Sequence, residues 1–167
     1  MEERQGGQDL KVTSDGDTVR ISGITDFYPE HVFDCGQAFR WNRDGDAYVG
    51  VVQDQVLRVT YCAGSNALIL EHCDPDWYDR YMRHYLGLDL DYGRIREELS
   101  ADPVLKKAVR YGWGMRILNQ DPWETLISFI LSANNNIKRI KGIIEKLSEK
   151  YGREIHWKGR TYYTFPT

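Results

Sequence analysis

Between residues 10 and 71 apolar and polar positions alternate in short runs broken by turn residues, the pattern of an antiparallel meander. Residues 11–13 and 18–22 flank Ser14-Asp15-Gly16-Asp17, whose Asp-Gly pair supplies the positive φ of a tight hairpin. Residues 27–33 read as one short helix. Further strands are predicted over 38–43, 48–52, 56–61 and 67–71, with turns at Asp44-Gly45-Asp46 and Ala63-Gly64-Ser65-Asn66. Side chains such as Val49, Val52, Val56, Leu57, Leu68 and Leu70 are too many for a bare sheet, so one face must be covered.

After Cys73 the period becomes helical. Asp74-Pro75, Asp102-Pro103 and Asp121-Pro122 each read as an N-cap followed by a first-turn proline, and Glu124 can close a capping box on Asp121. Helices are expected to begin near Asp74, Asp91, Asp102, Asp121 and Asn136. The segment 123–131 carries Trp123, Leu126, Ile127, Phe129, Ile130 and Leu131 nearly all round, which predicts the most buried helix, at the centre of a bundle. Residues 137–151 repeat Ile137, Ile140, Ile144, Leu147 and Tyr151 at helical spacing against a basic opposite face, and Gly152 supplies the stop. The stretch 157–167 is aromatic without periodicity. The expected fold class is therefore α+β, with an antiparallel sheet domain over 1–73 and a helical domain over 74–167.

Composition narrows the field. The chain has 167 residues and 41% hydrophobic positions, enough for one real core. No apolar run approaches the roughly 18 residues a membrane span needs, and residues 1–10 lack the basic-then-apolar order of a secretory signal. Cys35, Cys62 and Cys73 are an odd number without CxxC spacing, which predicts thiols in a reducing, intracellular compartment rather than disulfides. Cys35, Cys62, His72 and Cys73 are the alternative metal site, but adjacent His72 and Cys73 near a strand end suit a structural role, so no metal and no cofactor is expected.

The net charge of -3 conceals two opposite parts. Residues 1–100 hold 10 Lys and Arg against 19 Asp and Glu, or -9, whereas residues 101–167 hold 12 against 6, or +6. Between residues 134 and 160 eight basic side chains face only Glu145, Glu149 and Glu154, so a polyanion would be steered to that end.

Two segments stand out chemically. Asn134-Asn135-Asn136 opens the basic helix. An asparagine turn there serves as a cap, or it converges amides, N–H groups and the positive helix end on a phosphate or base edge; Lys138, Arg139 and Lys141 favour the second use. In Gly36-Gln37-Ala38-Phe39-Arg40-Trp41 the glycine suits a backbone bend and the aromatics suit a core.

Together these segments resemble the 8-oxoguanine DNA glycosylase family of the helix-hairpin-helix superfamily. The resemblance rests on Cys35-Gly36-Gln37-Ala38-Phe39-Arg40-Trp41, on residues 48–56, and above all on residues 120–140, including Ser128-Phe129-Ile130-Leu131-Ser132-Ala133-Asn134-Asn135-Asn136-Ile137-Lys138-Arg139-Ile140. It implies a TBP-like sheet joined to helices, double-stranded DNA containing oxidised guanine as partner, a monomer, and residence in bacterial cytoplasm or nucleoid, or in a nucleus. It further implies base flipping and cleavage of the N-glycosidic bond, with AP lyase activity. Gly36 then offers its carbonyl to the N7 hydrogen that 8-oxoguanine has and guanine lacks. Asn134 fills the gap left in the duplex, Arg139 addresses the orphaned cytosine, and Asn135, Asn136, Lys138 and Lys141 complete the DNA-binding edge. The family's nucleophilic lysine beside a Leu-Pro-Gly-Val-Gly type hairpin, and its downstream aspartate, have no counterpart here; Gly112-Trp113-Gly114 matches neither composition nor position. The expectation is an amino-terminal portion with no catalytic residue of its own, inactive alone. A non-catalytic damaged-DNA-binding module is the alternative.

Overall fold

The computed structural model describes residues 10–167; the first nine positions of the expected sheet domain lie outside the described residues. Six strands form one antiparallel sheet: β1 (Lys11–Asp15), β2 (Thr18–Ser22), β3 (Trp41–Asp44), β4 (Ala47–Val52), β5 (Gln55–Cys62) and β6 (Ala67–Glu71), in the order β1-β2-β6-β5-β4-β3. A short helix α1 (Pro29–Phe33) links β2 to β3, as its apolar pattern predicts. The third strand begins later than residue 38, because residues 36–40 are spent on a loop that reaches other elements.

The sheet is packed on both faces, which explains why every residue of β4 is buried. One face supports the main core, built from Val19, Ile21, Trp41, Leu57, Leu68 and Leu70 together with Trp77, Tyr78, Met82, Tyr85 and Leu118 from the other side of residue 73. Trp41 lies across Gly50, its register partner, and a Cβ on Gly50 would stand 2.5 Å from the indole. Only glycine leaves room for that ring. The indole N–H donates to the Tyr85 hydroxyl at 2.9 Å, so the one polar atom of this buried side chain is satisfied.

The opposite face is closed by a hairpin that periodicity does not reveal. β7 (Glu154–Trp157) and β8 (Arg160–Tyr163) pair antiparallel, and Lys158 and Gly159 both take positive φ in the two-residue turn. Ile155, Trp157 and Tyr162 cover Val49, Val51 and Val56. The signal was Lys158-Gly159 between two four-residue aromatic runs, too short for a period to register.

The helical half follows α2 (Pro75–Trp77), a π turn over Tyr78–Met82, α3 (Arg83–Tyr85), α4 (Tyr92–Leu99), α5 (Pro103–Tyr111), α6 (Pro122–Ser132) and α7 (Ile137–Tyr151). All five expected starts carry side-chain caps: Asp74, Asp91, Asp102, Asp121 and Asn136 accept from backbone N–H groups of the first turn. The capping box on Asp121 is only half made, because the Glu124 carboxylate turns to Arg40 instead of closing back.

The expected burial of the 123–131 helix is overturned. In α6 only Ser128 is buried; Ile127 and Leu131 pack on Ile140, Ile144 and Phe165, while Trp123, Leu126, Phe129 and Ile130 are exposed, Phe129 by 75%. Composition marked the helix as apolar all round, but α7 and the chain end at Phe165 cover just one side of it.

Candidate nucleic-acid interface

Residues 36–40 form the junction between sheet and helices. Gly36 has φ +90, a conformation costly for any side chain, and a Cβ there would sit 3.4 Å from Ile137 Cδ1. The glycine loop and the start of α7 are therefore adjacent, although about a hundred residues separate them in sequence. Among the described residues no donor reaches the Gly36 carbonyl. Gln37 is tied by its side chain and its carbonyl to residues 32 and 116–120. Ala38 and Trp41 are core, and Phe39 packs with Ile140 and Ile144.

Arg40 ends this hub. Its guanidinium lies 3.4 Å from Glu124 and donates to the Tyr163 carbonyl, joining the loop before β3, the first turn of α6 and β8. Burial pushes both partners toward their neutral forms, lowering Arg40 and raising Glu124, against the attraction between them.

The three asparagines separate into distinct roles. Asn136 caps α7 by accepting from Arg139 N at 3.0 Å. Asn135 donates to the Leu131 and Ala133 carbonyls and so closes the end of α6. Asn134 has φ +57, is exposed, and no hydrogen bond from its carboxamide is found among the described residues. A strained, uncommitted amide at the tip of a helix-to-helix turn is available to an outside partner.

The basic side chains divide in the same way. Lys138 and Arg139 are exposed and make no ion pair among the described residues. Lys141 instead donates to Asp34 at 3.0 Å and to the Trp41 carbonyl at 2.7 Å, clamping α7 onto the sheet. Burial raises the Asp34 carboxyl, but the bonds from Tyr48 and Lys141 and the charges of Lys141 and Arg43 outweigh it, and its pKa falls below the usual value. A cleft of about 390 Å³ lined by Phe39, Arg40, Asn42, Ile144 and Tyr162 runs along the middle of α7, away from the exposed tip. Cys35 is exposed and Cys73 buried, and burial pushes the Cys73 thiol up to about 12.

Among the described residues, the surface that emerges carries a backbone acceptor, a carboxamide and two cations without partners at one helix start. Sequence reasoning found each of these but missed the contact of Gly36 with α7, which is wholly non-local.

Known proteins share this fold. The family model described as 8-oxoguanine DNA glycosylase, N-terminal domain, matches residues 21–126. An N-glycosylase/DNA lyase of Saccharomyces cerevisiae is 53% identical over 150 residues, covering 82% of this chain and 40% of that protein. The Clostridium acetobutylicum 8-oxoguanine glycosylase/lyase, solved with double-stranded DNA containing cytosine opposite 8-oxoguanine, superposes with a TM-score of 0.90 at 40% identity, covering 94% of this chain and 54% of that one. MBOgg1, solved with a low-affinity DNA ligand, gives a TM-score of 0.91 at 44% identity over 95% of this chain and 54% of that one. The fold and these matches define the class as the amino-terminal architecture of a DNA glycosylase. The chain spans about half the length of the solved relatives and less of the curated ones. It belongs to the 8-oxoguanine DNA glycosylase family.

Proposed function

We propose that this chain is the lesion-probing part of an 8-oxoguanine DNA glycosylase and AP lyase that acts inside the cell, as a monomer, on 8-oxoguanine paired with cytosine. The observation that carries the reading is that Gly36, whose carbonyl meets no donor among the described residues, abuts the first residue of α7. One acceptor suffices to read the lesion: 8-oxoguanine presents N7–H to it, while guanine presents a second acceptor and leaves the carbonyl's lone pair repelled and unsatisfied. Flipping the base opens a gap in the duplex, which the projecting Asn134 is placed to fill. Arg139, in the first turn of α7, presents a forked donor to the N3 and O2 acceptors of the widowed cytosine. Lys138 adds sequence-independent phosphate attraction. Asn135 and Asn136 shape the turn that projects Asn134, and Lys141 holds α7 in place.

Bond cleavage requires an amine attacking the sugar's anomeric carbon, with the base departing as its protonated form, followed by a Schiff base that permits strand scission. The family resemblance implies a helix-hairpin-helix lysine and a downstream aspartate for these roles, and this sequence has no counterpart of either. In a binding titration this chain is expected to prefer an 8-oxoguanine·cytosine duplex over guanine·cytosine, with affinity falling steeply as salt rises. Equal affinity for both duplexes would defeat the reading. Borohydride trapping is expected to give no adduct, and a covalent adduct would place the nucleophilic lysine within these 167 residues.

A further inference from the structure

The Gly36 carbonyl belongs to the peptide that joins it to Gln37, so whatever holds Gln37 aims that carbonyl. Gln37 is held at four points. Its Nε2 donates to the Val32 and Arg116 carbonyls, both at 2.8 Å, and its Oε1 accepts from Leu118 N at 2.9 Å. Its own carbonyl accepts from Gln120 Nε2 at 2.6 Å. Both amide hydrogens are in use, and the chain that supplies the partners, residues 116–120, is itself pinned. Arg116 is 1% exposed and donates to the Asp26 carboxylate at 2.6 Å and to the Gly87 carbonyl at 2.9 Å. Rotation of the Gly36–Gln37 peptide leaves both Cα atoms in place, so with the Gln37 side chain and carbonyl pinned it must turn the Gln37 φ, which is negative, into the positive region that is costly for a residue with a side chain.

We infer that Gln37 is a positioning residue which, with Gln120, fixes the direction of the Gly36 carbonyl and thereby sets the discrimination between 8-oxoguanine and guanine. The inference rests on the reading of Gly36 given above. Glutamine is required by its chemistry. Glutamate keeps an acceptor for Leu118 N but turns a carboxylate oxygen toward two carbonyls, and asparagine is one methylene too short to span them. A half-buried amide that satisfies three backbone groups at once is a rigid support of the kind a recognition group needs, because an acceptor free to swing would meet N7–H only part of the time.

The test measures dissociation constants of this chain for 8-oxoguanine·cytosine and guanine·cytosine duplexes, with the thermal midpoint recorded for each variant. The quantity read is the ratio of the two constants. Gln37→Glu is expected to lower that ratio about tenfold while affinity for the guanine duplex, set by phosphate contacts, stays within about twofold. Gln120→Leu removes only the bond to the Gln37 carbonyl and is expected to lower the ratio about threefold, which keeps the test open if Gln37→Glu does not fold. A loss of both affinities together, or a lower midpoint with the ratio intact, would mark Gln37 as merely structural and overturn the inference. Gly36→Ala, measured alongside, separates the two failures. If it abolishes the ratio while the Gln37 and Gln120 variants keep it, Gly36 reads the lesion without their help. If none of the three moves the ratio, the Gly36 reading itself falls.

Discussion

The sheet and α6 are both built from apolar segments and reach opposite ends. The sheet is covered on both faces, by residues from α1 to Leu118 on one side and by the β7–β8 hairpin on the other. The α6–α7 pair buries one seam around Ile140, Ile144 and Phe165 and leaves Trp123, Leu126, Phe129 and Ile130 in solvent. Charged groups follow the same division. Arg40, Arg116 and Lys141 are consumed by pairing, whereas Lys138 and Arg139 are uncommitted. A region that satisfies its own groups supplies stiffness, and one that leaves groups unsatisfied is where a partner gains free energy by binding.

The largest expected effect is on the sheet. Trp41→Ala removes the indole lying over Gly50 and the bond to Tyr85, and urea unfolding is expected to show a loss of about 3–5 kcal/mol. A loss under about 1 kcal/mol would mean that the sheet core is not the stable half.

Next come the free cations at the other end. Arg139→Ala is expected to reduce preference for cytosine over other bases opposite the lesion by about 1–3 kcal/mol, read from binding to a panel of duplexes. Lys138→Ala should weaken all duplexes alike and flatten the salt dependence by about one phosphate contact, without altering preference. Equal losses on every opposite base for Arg139→Ala would remove it from the reading role. Both variants should leave the unfolding curve in place, since neither side chain is engaged.

The Lys141 clamp joins the two regions, and its carboxylate partner titrates. The folded Asp34 has a pKa below the ordinary 3.8, so its contribution is fully present above that value and is lost as pH falls through the lower folded one. Thermal midpoints taken downward from pH 5 are expected to drop more for the parent chain than for Asp34→Asn. Parallel curves would show that the clamp carries no stability.

The smallest effect belongs to the exposed face of α6. Phe129→Ser should change unfolding free energy by less than about 0.5 kcal/mol while raising the concentration at which the chain aggregates, seen by light scattering. A cost of several kcal/mol would mean that this face is packed in solution.

What the residues determine locally was legible. Period two marked the strands to within a few positions, Asp-Pro pairs marked the helix starts, and Asn136 marked the start of α7, because caps and turns depend on neighbours within four residues. The basic character of the 134–139 edge was likewise readable from composition. Burial of α6 was not, since an apolar surface specifies a need for cover and not the presence of it. The β7–β8 hairpin escaped because four-residue strands carry too few alternations. The division of the three asparagines into two structural amides and one free one, the engagement of Lys141, and the meeting of Gly36 with Ile137 were decided only when distant segments packed. Gln37 and Arg116 lie 79 residues apart, and no local pattern encodes a hydrogen bond across that distance; the closure of the sheet core places them together.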